Sequence, residues 1–291
     1  MLFDKLRVTM RILCMDIPEE ELADDELAYL SQFQGKDINL TEMWKLMDQA
    51  WKNAGASYAE ADMDAVSKFY ALPVWLLNGI FSECDAESKY IRERIADWLA
   101  ERSFNTVIDY GGGYGALARK IASLCPDTQV NVVDPFPRRF AQVLSKKYKN
   151  LAFIPTMSQN ADCIIAQDVL EHVVDPLNVF AQLLENVKTG GYVITANCFY
   201  PVIDCHLPQT FHFRYTFRHI VPSLGCRYVG AVTGVRYAQV FQKIEAKPDW
   251  HRARWKEHLS KKFSPILNFV VEPGKNLVRP LWKMLRRMNR T

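Results

Sequence analysis

The sequence predicts an α/β fold: a doubly wound, mostly parallel seven-stranded sheet with an antiparallel C-terminal hairpin, preceded by a helical N-terminal region. Three observations lead to it. From residue 103 onward, short β-branched runs alternate with amphipathic stretches. The runs are apolar without a break, as strands covered on both faces are. A glycine cluster stands where the first run gives way to the first helical stretch, the usual place of a ligand loop in such sheets.

Up to residue 102 the pattern is helical. Leu40, Trp44, Met47 and Trp51 recur at steps of four, three and four, with Asn39 placed as an N-cap and Gly55 just past the end. A second helix is expected over 86–102, where Ile91, Ile95, Trp98 and Leu99 share a face. Between them FYALPVWLLNGIF (69–81), interrupted by Pro73 and Gly79, reads either as a broken helix over a pocket or as core. The strand runs are TVID (106–109), VNVVD (130–134), LAFIP (151–155), CIIA (163–166) and YVITA (192–196), joined by right-handed crossovers. An irregular loop (197–214) and a short helix (216–224) follow, and CRYVGAV and YAQVFQKI then pair as a hairpin. This divides the chain into a helical cap on the substrate side (1–102), a nucleotide-binding domain (103–245) and a C-terminal tail (246–291).

With 49% hydrophobic and 24% charged residues, the 291-residue chain is expected to be globular, which excludes disordered and fibrous classes. Its seven cysteines are odd in number and contain no C-x-x-C pair, so reduced thiols are expected rather than a disulfide framework or a structural zinc cluster. The first residues lack the features of a signal peptide, and nowhere do eighteen apolar residues run together. A cytoplasmic protein is expected.

TVID runs directly into YGGGYGALARKIASL, so Gly111, Gly112, Gly113 and Gly115 lie at a strand-to-helix turn that can cradle a nucleotide. The second strand ends at Asp134, nineteen residues after Gly115, where a carboxylate can accept hydrogen bonds from a ribose. Gly111-x-Gly113-x-x-Ala116 also satisfies a dinucleotide fingerprint. Asp109 decides against that reading, because a carboxylate at the mouth of the loop repels a pyrophosphate and suits an ammonium and sulfonium. No G-K-[ST] follows, which excludes a Walker phosphate loop.

The series TVIDYGGGYGALA, VNVVDPF, ADCIIAQDVLEHVVDPLNVF and LLENVKTGGYVITA resembles the motifs of the Rossmann-like (class I) S-adenosylmethionine-dependent methyltransferases, in order over about residues 103–245. That resemblance implies S-adenosyl-L-methionine as cofactor. It implies that Asp109, Gly111 and Gly113 hold the methionine part, with Tyr110 beside them and Gly115 permitting the turn. Asp134 would hold the ribose hydroxyls, Pro135 and Phe136 would flank the adenine, and Gln167 and Asp168 would line the cofactor next to the methyl group. Many relatives carry an acid after the third strand to read the adenine, but PTMSQNAD (155–162) is short and leaves that contact unassigned.

Methyl transfer to an alcohol needs alignment and a base. Asp168, Glu171 and His172 lie at i, i+3 and i+4 and point one way if helical. His172 has the ordinary pKa range of a general base, while the LEH turn can equally serve to pack the helix start. His206 and His212, among the aromatic residues of CHLPQTFHFRYTF, are further candidates for the base. Asp168, Glu171, His172 and a distal histidine also make an oxygen/nitrogen ligand set, but no metal ligand is assigned.

The tail holds twelve Lys or Arg against three acids, with Trp250, Trp255 and Trp282 among them. Such a segment suits an anionic membrane surface, nucleic acid, or the acidic body of the chain itself. The expected reaction is O-methylation of a sugar or surface-glycan precursor, as in polysaccharide biosynthesis. An aromatic or quinone-precursor hydroxyl and RNA ribose are the alternatives within the class. An NAD(P)-linked oxidoreductase and a non-catalytic cofactor-binding subunit are the alternatives outside it.

Overall fold

The computed structural model describes residues 8–58 and 63–288, with side chains described over 8–58 and 64–269. The N-terminal region is not wholly helical. It opens with an antiparallel hairpin, β1 (Thr9–Ile12) and β2 (Met15–Pro18), whose Met10, Ile12 and Ile17 are buried. Its turn carries Leu13 at φ +52° where glycine or asparagine would ordinarily stand. Then come α1 (Asp24–Leu30), α2 (Leu40–Asn53), α3 (Met63–Tyr70), α4 (Val74–Cys84) and α5 (Ala86–Ala100).

Asn39 caps α2 as expected, in a reciprocal box with Glu42: each side chain takes the other's backbone N–H, at 3.1 and 2.8 Å. Met43, Met47 and Trp51 are the buried face of α2, and Leu40 remains 46% exposed at the mouth of the main cavity. The 69–81 segment is both of the things it could be. It breaks at Pro73 between α3 and α4, buries Phe69, Val74, Leu77 and Ile80, and presents Tyr70, Trp75 and Gly79 to the cavity.

The cysteine expectation needs correction. Cys14, in the hairpin turn, is disulfide-bonded to Cys84 at the end of α4, with the Cα atoms 5.7 Å apart across 70 residues of sequence. The hairpin and α4 share one apolar cluster, which carries the two thiols together. Cys125, Cys163, Cys198, Cys205 and Cys226 are free thiols.

The rest is the expected sheet: β3 (Thr106–Tyr110), α6 (Ala116–Leu124), β4 (Gln129–Val133), α7 (Arg139–Ser145), β5 (Leu151–Ile154), β6 (Ala161–Gln167), α8 (Pro176–Asn186), β7 (Val187–Ala196), α9 (Phe217–Ile220), β8 (Cys226–Val232) and β9 (Val235–Lys243). The strand order is β5-β4-β3-β6-β7-β9-β8; β9 pairs antiparallel with both β7 and β8, and the other pairs are parallel. Six of the seven residues of β6 are buried, because both faces are covered. On one face Val107, Val132, Ile165 and Val240 pack against Leu117 and Ile121 of α6 and Ile95 and Leu99 of α5. On the other, Ile108, Ile164, Val193 and Phe241 meet Leu177, Phe180 and Leu184 of α8.

The cap sits on this sheet through Met43, Leu77 and Ile80, which share a cluster with Tyr114 and Phe140. The Arg119–Glu83 ion pair joins α6 to α4, and Arg138 pairs with Asp25 at 2.9 Å. The tail forms α10 (Trp250–Met288). Its first turns dock on the body: Ala253 and Ser260 are buried, and Arg254 pairs with Asp175 and Glu257. Beyond them Phe263, Ile266 and Phe269 are exposed. The side chains of residues 270–291, Trp282 among them, lie outside the described residues.

Candidate active site

After β3 the chain winds outward to β4 and β5, then returns to β6 on the other side of β3. Where the winding reverses, the loops at the carboxyl ends of β3 and β6 part and leave a crevice. That crevice is a cavity of about 770 Å³. Its wall on one side is the glycine loop, where Gly111, Gly113 and Gly115 take φ of +68°, +49° and +73°, a left-handed run open to glycine and strained for other residues. On the opposite side α4 comes so close that a Cβ at Gly79 would collide with Cβ and Cγ of Tyr114, so glycine is required there.

Asp109, the last residue but one of β3, is a buried carboxyl with Oδ2 lacking any hydrogen-bond partner. Burial foremost, and then the charge of Asp134, push its pKa up to about 7; the Ala118 N–H and Arg119 pull the other way. Asp134 is held for a ligand by its own backbone surroundings, with Oδ2 accepting the Gly113 N–H at 2.9 Å and Oδ1 the Phe136 N–H at 2.8 Å. Pro135, Phe136, Thr156 and Met157 continue this wall, and Tyr110 lines it as well. Gln167 and Asp168 lie at the end of β6; Asp168 takes φ +52° and its N–H bonds the Ala196 carbonyl at 2.7 Å, which turns the chain toward the cavity.

The LEH turn after β6 and the loop after β7 are stitched together. Glu171 is fully buried; its Oε1 accepts the Cys198 N–H at 2.7 Å and its backbone carbonyl accepts the Leu207 N–H at 2.9 Å. His172 bonds through Nδ1 to the Cys205 carbonyl at 3.0 Å, so Nδ1 is the protonated nitrogen. Burial first, then His206, push the His172 pKa down to about 3, and the ring is neutral. Burial, and then the Asp168 charge, raise Glu171 to about 8.

His172 lines the cavity edge-on to Tyr70 and Trp75, whose rings stack at 5.2 Å and 26°. The Trp75 indole N–H is buried without a partner. These two aromatic residues carry no motif. The cue to them in the sequence is the interrupted apolar segment at 69–81.

The three candidate histidines part company. His206 lies behind His172, ring centroids 4.8 Å apart, with Nδ1 on the Tyr200 carbonyl at 2.7 Å. His212 sits in a short 3-10 turn over 208–214 that rotates it toward α10, where Nδ1 meets the Ser260 hydroxyl at 2.9 Å. It does not line the cavity. Burial foremost pushes its pKa down to about 4.

Comparison with known proteins finds one matching family model, one curated relative and a set of solved structures. Residues 85–222 match a family described as a methyltransferase domain. A tRNA U34 carboxymethyltransferase of Dichelobacter nodosus (strain VCS1703A) is 30% identical over 127 residues, 40% of either chain, so the match spans well under half of that curated relative. Human N-acetylserotonin methyltransferase, solved with S-adenosylmethionine, is 18% identical over 76% of this chain and 70% of its own, at a TM-score of 0.48. The N-methyltransferase NodS of Bradyrhizobium japonicum WM9, solved with S-adenosyl-L-homocysteine, is 14% identical over 68% of this chain and 100% of its own, at 0.43. The methyltransferase-domain match over residues 85–222, the strand order and the loop that joins Asp109 to Asp134 together support a class I, S-adenosylmethionine-dependent methyltransferase.

Proposed function

We propose that the chain is an O-methyltransferase whose acceptor is a hydroxyl of a sugar or surface-glycan precursor. The observation that supports this most is the position of His172: of the three candidate histidines it lines the same cavity as Asp109 and Asp134, beside the Tyr70–Trp75 platform.

The residues present fit the cofactor. Asp109, with its unpartnered Oδ2, offers a counter-charge to the ammonium. Asp134 offers ribose hydroxyls two oxygens already oriented by backbone N–H groups. Pro135 and Phe136 offer the adenine an apolar wall. When bound, S-adenosylmethionine supplies a methyl group made electrophilic by its sulfonium.

The chain's own residues do the rest. With Nδ1–H fixed on the Cys205 carbonyl, the His172 lone pair is at Nε2; burial makes it a weak base, so it takes the proton only as methyl transfer turns the acceptor oxygen strongly acidic. The stacked Tyr70 and Trp75 rings give a flat apolar face, and the free indole N–H gives a donor beside it, a combination suited to a ring bearing hydroxyls. The exposed Trp255, Phe263, Ile266 and Phe269 on the basic helix α10 support peripheral contact with an anionic membrane, where lipid-linked glycans are at hand.

The test is transfer of labelled methyl from S-adenosylmethionine to pools of lipid-linked glycans and nucleotide sugars, of phenols, and of RNA. Label in the glycan pool is expected; label only in phenols or RNA replaces the acceptor. Cofactor binding without transfer to any pool would point to a non-catalytic subunit. Binding of NAD(P)H but not of S-adenosylhomocysteine would overturn the reading. Trp75→Phe, which keeps the ring and removes the donor, should lower kcat/KM roughly tenfold, the net worth of one hydrogen bond.

A further inference from the structure

Glu171, His172 and His206 each bring one ligand atom to a common place, and these atoms lie within 4.8 Å of one another. Two features beyond proximity mark the cluster. Each imidazole is tied at Nδ1 to a backbone carbonyl, His172 to Cys205 at 3.0 Å and His206 to Tyr200 at 2.7 Å. That is how a metal-bound histidine is oriented, with the second ring nitrogen free to coordinate. Glu171 is fully buried, one of its oxygens taken by the Cys198 N–H, while Oε2 has no hydrogen-bond partner. A buried carboxylate oxygen left in this state is disfavoured unless something positive or protic completes it.

We propose that this cluster binds one divalent first-row transition ion, through Glu171 Oε2 and the Nε2 atoms of His172 and His206. Two imidazoles and one carboxylate suit zinc or manganese, whereas magnesium and calcium favour all-oxygen sets. Bonds of about 2.0–2.2 Å place donor atoms about 3.0–3.5 Å apart, so the set closes by a little over an ångström on binding. Rotation of the Glu171 carboxylate and adjustment of the loop that carries His206 provide that movement. Asp168, which the sequence spacing would add, is not part of the set.

Three protein ligands leave coordination positions open, and His172 is on the cavity wall. An acceptor hydroxyl that takes an open position is acidified by the ion. His172 Nε2 is then occupied by the ion and does not act as the base, and the proton that the acidified hydroxyl loses passes to solvent water in the cavity. This role rests on the proposed methyl transfer; the binding of the ion does not.

The experiment uses the full chain, stripped with chelator and dialysed separately against zinc and manganese, with bound metal counted per chain. Cobalt replacement reports the ligands through its visible spectrum. One ion per chain is expected, with affinity lowered at least about 100-fold in Glu171→Gln and in His206→Gln and unchanged in His212→Gln. S-Adenosylhomocysteine binding, measured on each variant, should be retained and shows that the fold is intact. Substoichiometric metal in the wild-type chain, undiminished binding in either ligand variant, or a thiolate-to-cobalt band would overturn the site. Loss of the ion site with cofactor binding intact would leave the methyltransferase reading standing.

Discussion

Replacing Asp109 by asparagine separates what its buried carboxyl does to the fold from what it does for the cofactor. Its pKa rises from 3.8 in the unfolded reference to about 7 in the folded chain, which corresponds to about 4 kcal/mol. The sign follows from proton binding. Between pH 4 and 7 the folded chain keeps a proton that the unfolded chain has lost, so this group's contribution is fully present below pH 3.8 and is lost as pH rises through about 7.

Urea unfolding of the cofactor-free wild type and of Asp109→Asn, compared at each pH from 4 to 8, isolates the group because the other titrations are shared. The wild type should lose up to about 4 kcal/mol relative to the variant across that range. The same carboxyl must ionise to hold an ammonium. At pH 6 a group of pKa about 7 is protonated in about nine of ten molecules, so cofactor binding should release about 0.9 proton. Calorimetry with S-adenosylhomocysteine in buffers of differing ionisation enthalpy reads that release, and Asp109→Asn should bind at least about 100-fold more weakly. A stability difference that stays flat with pH, or cofactor binding without proton release and unimpaired in the variant, would refute the assignment of Asp109 as the ammonium's counter-charge.

Gly79→Ala forces a methyl group into Tyr114, and overpacking of this kind should lower stability by about 1–3 kcal/mol and weaken cofactor binding; thermal unfolding and calorimetry measure the two. Cys84→Ser opens a loop of 70 residues, which on chain entropy alone is worth up to about 4 kcal/mol in urea unfolding without reductant, and excess reductant should bring the wild type to the same value. Removal of residues 264–291 keeps the docked turns of α10 and should abolish flotation on anionic vesicles, while neutral vesicles recruit neither form. Equal flotation of the two forms would remove the membrane contact.

The sheet and its ligand loop were legible because strand, glycine turn, helix and acid follow one another within about thirty residues, and local geometry dictates each. The first hairpin was not. Its strands are four residues each, and its turn places leucine, not glycine, at positive φ, so the usual punctuation is missing. The Cys14–Cys84 bond depends on packing between segments 70 residues apart, which no spacing rule conveys. His206 and His212 looked equivalent in an aromatic loop. A single short turn between them directs one toward His172 and the other toward Ser260, and that choice is made by the α10 surface, not by the loop's composition.

The two sides of the cavity come from different stretches of chain. The wall of Asp109, Asp134 and Phe136 lies between residues 109 and 157, whereas Tyr70, Trp75 and Gly79 come from 69–82, and His172 is held from behind by the 197–207 loop. On the proposed assignment of the two walls, sequence drift or grafting in the 69–82 stretch would change the acceptor while leaving the methyl donor's seat untouched. The two stretches meet where Gly79 contacts Tyr114 and where Leu77 and Ile80 pack with Tyr114 and Phe140, and there exchange would have to be made in pairs.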